Sequence, residues 1–167
     1  APLRSLAAIG EVYQQDAADG LCLAQEMGAL NGSQLRTVGV NALLGPVLDL
    51  YRGGSVLYDR CLGSEPEAVI ALARAYLAGL SQAGVGAVVK HFPGHGVVTQ
   101  DTHTTTASST VSLAQLQAAD LVPYRALMSG YQGVMCGHVI YPEVDTLPAS
   151  FSSVWMREIL REQLGFQ

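Results

Sequence analysis

A chain of 167 residues, 49% of them apolar, has room for one domain with a sizeable core and is too apolar to be disordered. Its net charge of −5 at pH 7 argues against a nucleic-acid backbone or an anionic membrane surface as the main partner, and no apolar run is long enough to cross a bilayer. The three cysteines, Cys22, Cys61 and Cys136, are widely spaced and form neither a disulfide framework nor a metal-ligand spacing. The expectation is a reducing compartment, with each cysteine a small buried hydrophobe. Ala1-Pro2-Leu3 carries neither Met nor a signal-peptide pattern and reads as internal to something larger.

Apolar residues recur at three- and four-residue spacing from Leu6 to about Leu30, which predicts a helix that Asn31-Gly32 would end. Thr37 to Asp49 is apolar with few charges and reads as a strand buried on both faces, closed by Asp49. Residues 51–63 form a loop. Glu65-Pro66-Glu67 opens a second helix, with Val69, Leu72, Ala73, Tyr76, Leu77 and Leu80 on its apolar face and Gly84 at its end. Val85 to Val89 is a short buried strand, followed by a Pro-Gly turn and a Ser/Thr-rich loop over 97–110. Ser112 caps a helix to about Ser129 that Pro123 bends or breaks, with Leu116, Ala119, Leu127 and Met128 inward. A third strand runs over 134–137, ending in His-Val-Ile-Tyr-Pro at 138–142, and a loop to Ser150 follows. Ser152 or Ser153 then caps a last helix through Leu164.

Strands separated by helices at regular spacing describe successive βα units on a parallel sheet. There is neither a Gly-x-Gly-x-x-Gly nor a P-loop to mark a nucleotide-binding sheet. Each strand ends instead in a polar or ionisable residue: Asp49, then Lys90 and His91, then His138. That is what a TIM-type barrel presents at its active face. A full barrel has eight strands in about 250 residues. The expected fold is therefore α/β, an incomplete portion of a TIM-type (β/α)8 barrel, with residues 1–167 as one partial catalytic domain. Its two edge strands would lack neighbours, so another chain or segment that pairs them is an expected partner.

The window from Ala87 to His103 holds the only lysine, Lys90, and three of the four histidines. Its Lys-His-Phe-Pro-Gly-His-Gly at 90–96, with Asp-Thr-His at 101–103, resembles glycoside hydrolase family 3, and in particular the bacterial β-N-acetylhexosaminidases of cell-wall recycling. Gly-Pro-Val-Leu-Asp at 45–49, Asp-Arg-Cys-Leu-Gly at 59–63, Gly-His-Val-Ile-Tyr-Pro at 137–142 and Leu-Arg-Glu-Gln-Leu-Gly-Phe at 160–166 support it. The resemblance implies that Arg60, Lys90 and His91 hold sugar hydroxyls. It implies that His103 is general acid and base, and that Asp101 is its partner. It also implies a β-linked N-acetylglucosamine substrate from muropeptides, a bacterial cytoplasmic location and no cofactor. Two departures stand out. The family's nucleophilic aspartate lies just beyond a Leu-Gly-Phe-x-Gly segment, after Gln167. Its Asp-Gln-Glu-Gly-Gly segment belongs before Ala1. Little or no turnover by these residues alone is the expectation.

The chemistry of the residues agrees. A carboxylate two positions from an imidazole can fix its ring and favours its protonated form. Such a histidine can protonate a departing sugar oxygen and then take a proton from water. Lys90, His91 and Arg60 supply donors for hydroxyls. Asp49 can orient Lys90 or Arg60, or be purely structural. His95 braces the turn, and Asp49 and His138 are candidate walls of the site. A zinc site from His91, His95, His103 and Asp101 is one rival, although Pro93-Gly94 breaks the helical His-x-x-x-His geometry. A non-catalytic half-barrel that binds sugar or only assembles is a second, and a family 3 β-glucosidase a third.

Overall fold

A computed structural model describes residues 4–167; the Ala1-Pro2-Leu3 start, read above as internal, lies outside them. Where one N-terminal helix is predicted there are two, α1 (Leu6–Gln15) and α2 (Ala17–Thr37). Asp16 separates them. Its backbone is extended (φ −145°, ψ 117°), and its carboxylate accepts the amides of Ala18 and Asp19 at the start of α2. Nor does Asn31-Gly32 end the helix, which continues to Thr37. Gly32 is buried against α3 (Pro66–Gln82), and a Cβ there would lie 2.6 Å from the Cβ of Ala83. The residue serves close helix contact rather than termination. The predicted apolar face of α3 is buried along its length.

The strand expected over 37–49 is reduced to β1 (Ala42–Leu43), followed by a single parallel bridge from Val47 to Lys90. Pro46 interrupts the ladder because it has no amide hydrogen to give. Its carbonyl still accepts the Lys90 amide (3.3 Å), and the Leu48 amide donates to the Lys90 carbonyl (2.7 Å). The central strand β2 (Gly86–Phe92) pairs in parallel with β1 on one side and β3 (Gly133–Cys136) on the other. The β2–β3 register shifts between Lys90 and Phe92. Among the described residues β1 and β3 each have β2 as their only hydrogen-bonded neighbour in the sheet.

The helix after Ser112 breaks just before Pro123, giving α4 (Leu113–Ala118) and α5 (Val122–Ala126). Ser112 and Gln115 form a reciprocal capping box at its start. The segment read as a loop before Ser150 contains a short antiparallel hairpin, β4 (Ile140–Tyr141) and β5 (Asp145–Pro148). These strands are too short for an alternating pattern, and a proline follows the first and ends the second. The last helix, α6 (Val154–Gln163), is wound as a π-helix; the Ser152 hydroxyl accepts the Trp155 amide and donates to Asp145.

The main core lies between the sheet and these helices. Phe92, at the end of β2, meets Tyr124 and Trp155 edge-on at 5.4 and 6.1 Å between centroids, and Trp155 meets Tyr141 at 5.5 Å. All four side chains are wholly buried. This aromatic cluster fixes the end of the central strand, where the ionisable residues gather; truncating Phe92 to Ala would cost about 3–5 kcal/mol. Of the cysteines only Cys61 is buried; Cys136 is partly covered and Cys22 is exposed on α2, against the expectation for all three.

Candidate active site

A cavity of about 320 Å³ opens at the C-terminal ends of β2 and β3. Its walls come from five separate stretches of the chain. His91 closes β2. His95 belongs to the Pro-Gly turn. Asp101, Thr102 and His103 lie on the following loop, and Met135 to His138 run on from β3. Val56, Leu57 and Arg60 complete it from the loop before α3. Thus Arg60, His91, Asp101, His103 and His138 are brought together as lining residues. Lys90 and Asp49 are not among them. Successive residues of a strand project to opposite faces, and of the neighbours Lys90 and His91 it is His91 that opens on the cavity.

Asp49 is not a wall of the cavity but its foundation. Its carboxylate is 1% exposed and accepts three N–H groups. One oxygen takes the His91 amide (3.1 Å) and His91 Nδ1 (2.7 Å), and the other takes the His95 amide (2.5 Å). A buried carboxylate so surrounded is satisfied. Because the carboxylate accepts, Nδ1 of His91 carries a hydrogen and Nε2 is left for another partner. The expected orientation of Lys90 or Arg60 by Asp49 is thus replaced by orientation of His91. Lys90 is half-buried. Burial lowers its pKa, as does the positive charge of Arg60 to a smaller extent, while Asp49 opposes them. Among the described residues, neither Lys90 nor Arg60 makes an ion pair with a carboxylate.

The Asp101–His103 pair is built locally. Asp101 accepts the His103 amide (2.9 Å) and His103 Nδ1 (2.7 Å) through the same oxygen. These bonds, the amide's first, hold the Asp101 carboxyl below its usual pKa. His103 has its Nδ1 fixed and its Nε2 free to meet another group. The His103 side chain is 77% exposed. His138 Nδ1 lies 2.7 Å from the Ser150 hydroxyl, which turns its ring toward Phe151.

His95 does brace the turn, as expected, through its amide. Its ring also lines the cavity, with Nε2 3.1 Å from the Thr102 hydroxyl. The cavity contributions of Leu57, Met135 and Cys136 carried no signal, because apolar residues near strand ends look like core. Close-packing between turn and strand is tight: a Cβ on Gly96 would sit 1.8 Å from the Leu50 carbonyl oxygen. No group of three or more metal-ligating side chains is gathered among the described residues. Among the described residues, a cavity of about 300 Å³ at the opposite end of β2, beside Val85 and Ala87, has Arg74 as its only ionisable lining residue.

Several known proteins are similar to this chain. A β-hexosaminidase of Thiobacillus denitrificans is 46% identical over 167 residues, covering 99% of this chain and 46% of that protein. The crystal structure of native NagZ from Neisseria gonorrhoeae superposes with a TM-score of 0.94 at 39% identity, over 98% of this chain and 48% of that one. The same enzyme in complex with N-trifluoroacetyl-D-glucosamine gives a TM-score of 0.94 at 39% identity, over 98% and 49%. The chain spans just under half the length of these relatives. Its helices and parallel strands are those of an α/β, TIM-barrel-like fragment. The sequence profile of the glycosyl hydrolase family 3 N-terminal domain matches residues 5–167, and the chain belongs to that family.

Proposed function

We propose that these residues form part of the catalytic domain of a retaining β-N-acetylglucosaminidase acting on β-linked N-acetylglucosamine. The observation that carries the reading is the grouping of His103, held by Asp101 at 2.7 Å, with Arg60, His91 and His138 around one cavity at the strand ends. Relatives called β-hexosaminidase, and one crystallised with a trifluoroacetylated glucosamine, support the substrate class. His103 protonates the glycosidic oxygen through Nε2 as the bond breaks. In the second step the same nitrogen takes a proton from water. Asp101 orients the ring. Arg60 and His91 bind hydroxyls at the cavity wall, which Lys90 does not line.

A retaining mechanism also needs a nucleophilic carboxylate. Asp101 is the only carboxylate lining the cavity among the described residues, and it is engaged by His103. The nucleophile is therefore assigned to residues outside this chain. The same residues, or another chain, would pair the open sides of β1 and β3. Muropeptides as natural substrate and the bacterial cytoplasm as location follow the family branch that the sequence resembles. The test is hydrolysis of a chromogenic β-N-acetylglucosaminide by the full-length protein and by its His103→Ala variant. Native turnover that His103→Ala abolishes supports the proposal. Equal rates in the two would remove His103 from the role.

A further inference from the structure

The loop that carries Asp101 and His103 is attached to the rest of the molecule in an unusual way. Its flanks are buried at Val98 and Ala107. Between them, residues 99–106 are exposed except for Thr102. Their backbone bonds stay within the loop: the amides of Thr104 and Thr105 both donate to the Asp101 carbonyl. Among the described residues, a single hydrogen bond joins 99–106 to anything else, that between the Thr102 hydroxyl and His95 Nε2 (3.1 Å). His95 is well placed to serve as an anchor. It is 4% exposed, and its amide is held by Asp49, the same carboxylate that holds His91. Burial lowers its pKa, which favours the neutral ring. A neutral imidazole has one donor and one acceptor, and among the described residues the buried Nδ1 is without a partner, so the link to Thr102 is the only hydrogen bond the ring makes to them.

We infer that His95 and Thr102 are positioning residues: their hydrogen bond sets the Asp101–His103 pair over the cavity, in register with His91 on the common Asp49 base. This rests on the reading of His103 as the proton carrier. Thr102 sits between the two members of the pair, so a shift at its hydroxyl moves both together. Displacing a catalytic group by an ångström is enough to cost about 100-fold in rate.

The test uses Thr102→Val and Thr102→Ser in the full-length protein, since Thr102 is partly exposed and its substitution does not threaten the fold. Backbone hydrogen exchange over residues 99–106 and the steady-state constants are measured for both. In Thr102→Val, exchange should quicken about 5-fold, the loss of one hydrogen bond, and kcat should fall about 10-fold or more with little change in KM. Thr102→Ser, which keeps the hydroxyl, should restore both. Unchanged exchange or unchanged kcat in Thr102→Val, or failure of Thr102→Ser to restore either, would overturn the inference. Exchange reports on the tether even in a protein that hydrolyses nothing. A tether failure beside a His103→Ala loss of activity would leave the functional reading standing.

Discussion

Two histidine–aspartate pairs face the same cavity, each with Nδ1 2.7 Å from a carboxylate oxygen, and their surroundings set them apart. In the His91–Asp49 pair the side chains are 11% and 0% exposed; in the His103–Asp101 pair they are 77% and 51% exposed. The first joins residues 42 positions apart and also ties down the His95 amide. The second joins residues two apart on a loop. A buried carboxylate with three N–H partners holds structure, because removing it strands donors away from water. An exposed pair contributes little to stability and leaves its imidazole free to exchange protons with solvent and substrate. One geometry thus serves as brace in one place and, in the proposed function, as proton carrier in the other.

Four substitutions would break or sharpen that contrast. The largest effect should come from His103→Ala: kcat on a natural-type glycoside should fall about 1,000-fold, with the urea midpoint unmoved. A rate within a factor of a few of the native protein would erase the distinction between the pairs. Asp49→Ala should behave in the opposite sense. It leaves the amides of His91 and His95 and the Nδ1 hydrogen of His91 unpaired, and should lower unfolding stability by about 3 kcal/mol. A stability equal to native would show that the buried pair is not a brace.

Next comes a buried charge close to this base. Asp120, 1% exposed, pairs with Arg52 at 2.6 Å. Burial pushes its pKa up to about 6, against the opposing pull of Arg52. Arg52→Ala should destabilise the fold by about 2 kcal/mol at pH 8, less than for a fully buried pair because the guanidinium is partly solvated. The sign with pH follows. A carboxyl whose folded pKa is raised favours the folded state most at low pH and loses that contribution as pH rises through about 6. Without Arg52 the folded pKa rises further. The deficit of Arg52→Ala should therefore shrink as the pH falls from 8 toward about 6 and level off below it, in denaturation measured across pH. A deficit independent of pH would show that Asp120 is not the group responsible.

The smallest effect is that of Asp101→Asn, about a 10-fold fall in kcat, because solvent screens an exposed pair far more than the aspartate of a buried triad. Since the His103 amide and ring hold Asp101 below its ordinary range, the native acid limb should show no step at the usual carboxylate pKa. A pH–rate profile checks both statements.

What was legible in the sequence follows the range of the interaction. The Asp101–His103 pair could be read directly, because a two-residue spacing needs no knowledge of the fold. So could the helix face of α3 and the break before Pro123, both set by local periodicity and local chemistry. The Asp49–His91 pair could not. It depends on the parallel bridge from Val47 to Lys90, which brings the residues after each alongside one another. No spacing along the chain encodes that register. The two-helix start was missed because Asp16 caps a helix inside an unbroken apolar pattern. The continuation through Gly32 was missed because a glycine needed for helix contact looks like one that ends a helix. The tether through His95 combined both difficulties: its residues lay in the marked window, but only the turn geometry brings them together.

The most direct test of the central claim is the dependence of kcat/KM on leaving-group acidity, for aryl β-N-acetylglucosaminides and the full-length protein with and without His103→Ala. A proton donor matters most when the departing oxygen is basic. The loss of kcat/KM in His103→Ala should therefore be large for poor leaving groups and nearly vanish for strongly acidic phenols, while kcat stays low because the second step has lost its base. An equal loss across the whole series would mean that His103 does not deliver the proton.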